Sequence, residues 1–304
     1  MEENQTFRSG FVSVIGKPNV GKSTLMNRLL RQKVAAVSPR PQTTQRNQLG
    51  IITEKEYQII FIDTPGIHRP QSKLGEYMND AATGTFTDVD IVLWIVNLNE
   101  SPSEEDKLVA RRLSKSGASG NTMLALNKKD LLKAAGIEAA AKAYLELLPD
   151  AESFIISAAN GSGCDALLQS LVAKLPPGPA FYSEDQVTDL YEREIARDLI
   201  RESLLNNLED EIPHTIAVRI DEYKDRTPTK AYIMATLFLD REAHKSIVIG
   251  KNGSMIKKIG QDARIEIEKM TGRSVYLELK VKVVKNWLNN PAILKSLGFF
   301  QQSN

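Results

Sequence analysis

One cysteine, three histidines and two tryptophans are all that 304 residues carry of those types. Cys164 has no partner within the chain, which excludes a disulfide-stapled scaffold and points to a reducing compartment. His68, His214 and His244 are scattered without metal-ligand spacing, so they build neither a zinc centre nor a Ser-His-Asp or Cys-His catalytic set. No apolar run is longer than the six residues Ile91 to Val96, whereas a bilayer-spanning helix needs about 20. The opening Met1-Glu2-Glu3-Asn4-Gln5 has neither a basic n-region nor an apolar h-region, so a soluble cytoplasmic protein is expected. Peripheral membrane contact stays open.

Net charge is nearly absent as well, at +1, but it hides an asymmetry. Phe181 to Ile212 holds ten Asp/Glu against three Arg, whereas Arg241 to Asn290 holds eleven Lys/Arg against five Asp/Glu. The basic block suits a surface that meets phosphates, and equally a solvated helix face beside an acidic helix.

The first half alternates apolar runs with helical stretches. Phe11–Ile15, Tyr57–Ile62, Asp90–Leu98, Thr122–Leu126 and Ser153–Ile156 read as buried strands, the pattern of a mostly parallel sheet with helices on both faces. A helix over Cys164–Leu175 ends at Pro176-Pro177-Gly178-Pro179, which no helix can continue. The domains are therefore set at 1–176, a proline-rich linker at 177–186, and 187–304. The second part predicts a long helix over Val187–Leu208, strands over Thr215–Tyr223, Ala231–Leu239 and Ser274–Val284, and a basic helix over Ser254–Met270. That is a smaller α+β domain.

Gly16-Lys17-Pro18-Asn19-Val20-Gly21-Lys22-Ser23 fits G-x-x-x-x-G-K-[ST] between a strand and a helix, with Thr24 next. Its glycines let backbone N–H groups converge on phosphate oxygens at a helix N-terminus, Lys22 reaches the β- and γ-phosphates, and Ser23 would coordinate Mg²⁺. Asp63-Thr64-Pro65-Gly66 ends a buried strand, where the carboxylate can hold a magnesium-bound water and the Gly66 N–H can face a γ-phosphate. Asn127-Lys128-Lys129-Asp130 ends another strand. Asp130 can accept from guanine N1–H and its amine while Asn127 faces the O6/N7 edge, and adenine fails both contacts. Ser157-Ala158-Ala159 would add a backbone N–H to O6. Four such elements in order on one sheet point to GTP and GDP.

This set resembles the translation-factor-related GTPases. Pro41-Gln42-Thr43-Thr44, Asp63-Thr64-Pro65-Gly66-Ile67-His68 and the stretch Glu184 to Asp189 look like the Era-like family among them. The resemblance implies that Thr44 closes on Mg²⁺ as a switch threonine. It differs at Gln45, where arginine is usual; here Arg46 comes one later. Catalytic roles are expected for Lys22, Thr44 and Gly66, and metal contacts for Ser23, Thr44 and Asp63. Ile67 stands where many GTPases place a water-orienting glutamine, with His68 one residue on. Asn19 resembles a loop asparagine that helps hold K⁺ against the phosphates; a simple brace for the loop is the other reading.

Gly250-Lys251-Asn252-Gly253, between a short helix and the basic helix, resembles the turn of a type II KH domain, which clamps about four nucleotides of single strand. Ile249 to Gly253, Lys257, Lys258, Lys280 and Lys282 are the expected RNA contacts. The groove is expected among Ile247, Val248, Ile249, Ile256 and Ile259, with Lys285 as a further phosphate contact. By resemblance, the partners are 16S-type rRNA at its 3′ end and the immature small ribosomal subunit, bound by a monomer. Two alternatives are an RNA-binding protein with GTP as a structural cofactor, and a peripheral membrane GTPase.

Overall fold

The computed structural model describes residues 7–38, 43–188 and 192–299. Arg40, Pro41, Gln42, Asp189 and Leu190 lie outside these residues. The chain separates into two compact units. The first comprises Met1–Ala35, Thr44–Arg69 and Met78–Asp189; the second comprises Ala36–Thr43, Pro70–Tyr77 and Leu190–Asn304.

The first unit is a six-stranded sheet in the order β2-β3-β1-β4-β5-β6. Its strands are β1 (Arg8–Ile15), β2 (Gln48–Glu54), β3 (Tyr57–Asp63), β4 (Ile91–Asn97), β5 (Thr122–Asn127) and β6 (Glu152–Ile155). All neighbours are parallel except β2 and β3. Every residue of β4 is buried, as a central strand covered on both faces requires. The helices are α1 (Lys22–Leu30), α2 (Lys73–Thr83, of which Met78 onward belongs to this unit), α3 (Glu104–Ser116), α4 (Ala134–Leu145) and α5 (Cys164–Lys174). Two cores result, one holding Met26, Phe61 and Leu171, the other Trp94, Leu113 and Tyr144. The parallel order sends the C-terminal ends of β1, β3 and β5 to one edge, where the phosphate, magnesium and base elements emerge.

The proline-rich stretch is not a loose spacer. Ser9 donates to the Pro179 carbonyl at 2.6 Å, and buried Gln58 accepts from the Phe181 and Tyr182 N–H groups. Ile51 N–H donates to the Val187 carbonyl at 2.7 Å, and Thr188 Oγ1 donates to Leu49 O at 2.7 Å. Val187 and Thr188 are thus extended along β2, and the helix predicted from Val187 is described only from Glu192.

The second unit has a three-stranded sheet, β7 (Ile216–Thr227), β8 (Lys230–Leu239) and β9 (Ser274–Val283), with β7 and β8 antiparallel and β8 and β9 parallel. One face carries α6 (Glu192–Asn207), α7 (Glu242–Ile249) and α8 (Ser254–Thr271); a short α9 (Pro291–Ser296) follows. The core joins Leu199 and Leu204 of α6, alternate residues Ile233, Ala235 and Leu237 of β8, and Ile259 and Ile267 of α8. Trp287 is buried; it donates to the Thr215 carbonyl and stacks on Phe299. Among the described residues no helix is long and apolar enough to cross a membrane.

Candidate functional site

The phosphate loop runs from buried β1 into α1, and Gly21 is the helix's N-cap in left-handed backbone at φ 105°, with no capping side chain. A Cβ there would come 2.3 Å from Asn127 Nδ2, so only glycine fits, and the first N–H groups of α1 stay open to an anion. Val20 is buried, Pro18 is half-buried, and Asn19 is exposed at φ 63°. Lys22 Nζ donates to the carbonyls of Gly16 (3.2 Å) and Lys17 (3.0 Å). Burial pushes this amine down to about 8, against the pull of Asp63.

Ser23 Oγ donates to Asp63 Oδ2 at 2.6 Å, Thr44 Oγ1 donates to the same oxygen at 3.1 Å, and the two hydroxyls are 3.1 Å apart. Three oxygens meet at one point. An all-oxygen set of this size suits a hard divalent cation, and 3.1 Å is close to the spacing of adjacent octahedral ligands on Mg²⁺ at about 2.0–2.1 Å. Asp63 itself is fully buried at the end of β3.

Beyond it, Thr64 Oγ1 donates to Val14 O, and Ile67, also fully buried, donates its N–H to Gly16 O at 3.0 Å. Pro65 and Gly66 are brought down onto the phosphate loop: a Cβ on Gly66 would lie 2.7 Å from Pro18 N. The His68 ring is turned back, Nδ1 lying 2.8 Å from Gly66 O, and buried Asn79 of α2 holds the His68 N–H and carbonyl together. His68 here braces the segment after Asp63.

At the base end, Asp130 and Ser157 Oγ are 2.5 Å apart, with Ser157 donating. Asn127 carries a second task beside the expected base contact. Its Nδ2 donates to Val20 O at 2.7 Å and its Oδ1 accepts the Ala158 N–H at 2.9 Å, which leaves the second Nδ2 hydrogen for a base edge. Asn127 ties the phosphate loop to the loop after β6, the loop whose Ala158 N–H it holds. Lys128 bridges Asn127 and Asp130 in left-handed backbone at φ 68°. Thr24 follows Ser23 on α1 and is half-buried.

Lys17 lies in the phosphate loop, and its side chain runs to Glu100 (2.8 Å), in the turn before α3, and to Asp106 (3.2 Å), in the first turn of α3. Burial works against its charge, but the two carboxylates outweigh it and hold the amine above its usual range. Neither carboxylate was singled out from the sequence, because nothing in the spacing relates them to residue 17.

In the second unit, Gly250 stands at φ 72°, and a Cβ there would meet Met255 N at 2.7 Å, so the turn of Gly250 to Gly253 needs glycine. Lys251 and Asn252 are exposed at its tip. Two concavities flank it. One, of about 500 Å³, is lined by Glu242, Lys245, Ile249 and Lys251. The other, of about 470 Å³, lies between α8 and the edge strand β9, lined by Ile256, Lys257, Gln261, Arg264, Tyr276 and Leu279. Val248 and Ile259, expected in the groove, are core instead. Lys258 is exposed on α8 outside that lining.

Lys280 and Lys282 are not in the groove. β9 alternates, so Leu277, Leu279 and Val281 face the helices while Lys280 and Lys282 face the other side; Tyr276 and Glu278 start from that side too, but on this edge strand they reach the rim of the groove. On the side away from the helices Lys280 Nζ reaches Met234 Sδ, and Tyr276 stacks on Tyr232 at 5.8 Å. Arg264 and Tyr276, 65% exposed, were missed because only the tertiary fold sets α8 beside β9.

Comparisons with known proteins follow this division. Residues 11–128 match the family described as 50S ribosome-binding GTPase, and 211–288 match the KH domain. The chain is 43% identical to GTPase Era of Ruminiclostridium cellulolyticum over 299 residues, covering 98% of this chain and 100% of that protein. It is 42% identical to GTPase Era of Caldanaerobacter subterraneus over 96% of this chain and 98% of that one. Among solved structures, an Aquifex aeolicus Era bound to GDP·AlF4⁻ superposes with a TM-score of 0.91 at 35% identity, over 97% of this chain and 100% of that one. An Era in complex with MgGDPNP and nucleotides 1506–1542 of 16S ribosomal RNA gives 0.90 at 35% identity with the same coverage.

Proposed function

The chain belongs to the Era family of GTPases, and on that premise we propose a magnesium-dependent GTP switch that engages the 3′ end of small-subunit ribosomal RNA. The reading extends to the immature small subunit as partner, and to a monomer in the cytoplasm. The observation that carries it is one chain holding both the converged Ser23, Thr44 and Asp63 oxygens and an exposed GxxG turn beside a basic, aromatic-edged groove. A relative at 35% identity was crystallised with both kinds of ligand.

In the first unit, the N–H groups at the start of α1 receive the phosphates, and Lys22 exchanges two carbonyls for the β- and γ-oxygens. Ser23 and Thr44 would hold Mg²⁺, with Asp63 in reach through a bound water. The ion supplies positive charge against the β- and γ-phosphate oxygens. Gly66 offers its N–H to the γ-phosphate, and Asp130 accepts from the guanine N1–H and amine. No side chain at position 67 can orient water, since Ile67 is apolar and fully buried. Asn19, exposed in the loop, is assigned to holding K⁺, whose charge would act where other GTPases use an arginine.

In the second unit, the GxxG turn brings backbone close to the RNA phosphates, while the Ile256–Leu279 groove takes unstacked bases with Tyr276 and Arg264 at its rim. Replacing Lys251 and Asn252 with Asp abolishes binding of an oligonucleotide of the rRNA 3′ end and leaves GTP binding intact; Lys282→Ala changes RNA affinity little. Binding unchanged in the double variant moves the site elsewhere, and competition by anionic liposomes identifies a lipid surface as the ligand.

A further inference from the structure

We propose that Asp106, with Glu100, is a positioning residue for GTP hydrolysis, acting through Lys17 to hold the γ-phosphate-facing end of the phosphate loop. This rests on the GTPase reading.

Asp106 is fully buried at the start of α3. Its Oδ2 receives the Lys17 amine at 3.2 Å, the Ser103 N–H at 2.9 Å and the Ser103 hydroxyl at 2.7 Å, while Oδ1 has no hydrogen-bond partner among the described residues. A capping box needs the backbone exchange between Ser103 and Asp106, but it does not need a lysine from another loop. Asp106 is therefore more than a cap. It is a buried carboxylate whose charge is met by Lys17, and breaking such a pair leaves an uncompensated ion. Glu100 completes the clamp at 2.8 Å and is itself held by Asn97 Nδ2 at 2.5 Å. The Lys17 side chain, 10% exposed, has two fixed ends.

What the clamp fixes is the backbone on either side of Lys17. The Lys17 and Gly16 carbonyls receive the Lys22 amine, and Gly16 O also receives the Ile67 N–H. Pro18, the next residue, lies against Gly66, close enough that no side chain fits at 66. Residues 16–18 thus form the wall that meets Gly66, whose N–H addresses the γ-phosphate. The later loop N–H groups, at the start of α1, hold the phosphates that GDP retains. An anchor at residue 17 bears on the group that is cleaved more than on the groups that bind.

The full chain is assayed as Lys17→Met, Lys17→Met with Asp106→Asn, Glu100→Gln and Lys17→Arg, by single-turnover GTP hydrolysis and by GDP titration. Lys17→Met lowers the hydrolysis rate about ten- to a hundredfold with GDP Kd moving less than about threefold, since a misplacement on the order of 1 Å suffices. Lys17→Arg restores most of the rate, because a guanidinium can span both carboxylates. Should Lys17→Met fail to fold around the buried charge, the double variant, which removes both charges, is judged by the same split, and Glu100→Gln moves in the same direction by less. Unchanged hydrolysis, or GDP affinity falling as far as the rate, overturns the proposal; the second outcome means that Lys17 supports the whole loop. Wild-type hydrolysis in the same assay reports separately on the GTPase reading.

Discussion

Lys22 loses its proton far more easily than an exposed lysine, and that has a measurable consequence for nucleotide affinity. In the free protein burial brings its amine down to about 8. Between phosphates the charged form is favoured strongly, so the bound lysine keeps its proton throughout the accessible range. Well below pH 8 the free protein already carries that proton and binding is indifferent to pH. Above pH 8 binding must take a proton up, and affinity falls by the fraction of protein that has lost it. A single group at 8 gives a GDP Kd weakened about fourfold between pH 7 and 8.5, with about half a proton taken up per binding event at pH 8. The window stops short of the range where guanine loses its own N1 proton. Titration calorimetry in two buffers of different ionisation enthalpy reads the uptake directly. No uptake at pH 8 together with a flat Kd refutes a desolvated Lys22 and means that water or an anion solvates the amine in the free protein.

Two further outcomes follow from the same site. Asp130→Asn replaces a double acceptor by a mixed donor and acceptor, weakening GTP by about a hundredfold or more and transferring preference to xanthosine triphosphate; undiminished GTP binding refutes the role of Asp130. Steady-state phosphate release is faster in KCl than in NaCl at matched ionic strength, and Asn19→Ala removes the difference; equal rates in the two salts refute the K⁺ assignment.

The phosphate loop, Asp63 to Gly66 and Asp130 are legible in the sequence because each contributes through contiguous backbone at the end of an apolar strand. The fold class is legible for the same reason, since runs such as Ile91 to Val96 can only be buried on both faces. β2 was not legible: Gln48–Glu54 mixes polar residues with a glycine, and its pairing with β3 is long-range. Val187 looked helical because its apolar spacing continues that of α6, yet its carbonyl serves Ile51. The Asn-Lys-x-Asp spacing points Asn127 to the base, and only tertiary contact adds its second task of bridging Val20 and Ala158. Lys280 and Lys282 are a different case. The alternation of Val275, Leu277, Leu279 and Val281 in the sequence already sends them to the face away from α8. Arg264 and Tyr276 become neighbours only when α8 lies beside β9.

The central claim, that one chain hydrolyses GTP and holds ribosomal RNA in the groove beside its GxxG turn, is tested most directly by crosslinking. An oligonucleotide of the small-subunit rRNA 3′ end, photo-crosslinked to the full chain in the presence of a GTP analogue, is mapped by peptide mass spectrometry. Crosslinks are expected on residues 249–264 and 276–279, and not on Lys280 or Lys282. Crosslinks confined to Lys280 and Lys282 or to the first unit, or none above a scrambled RNA, contradict the account.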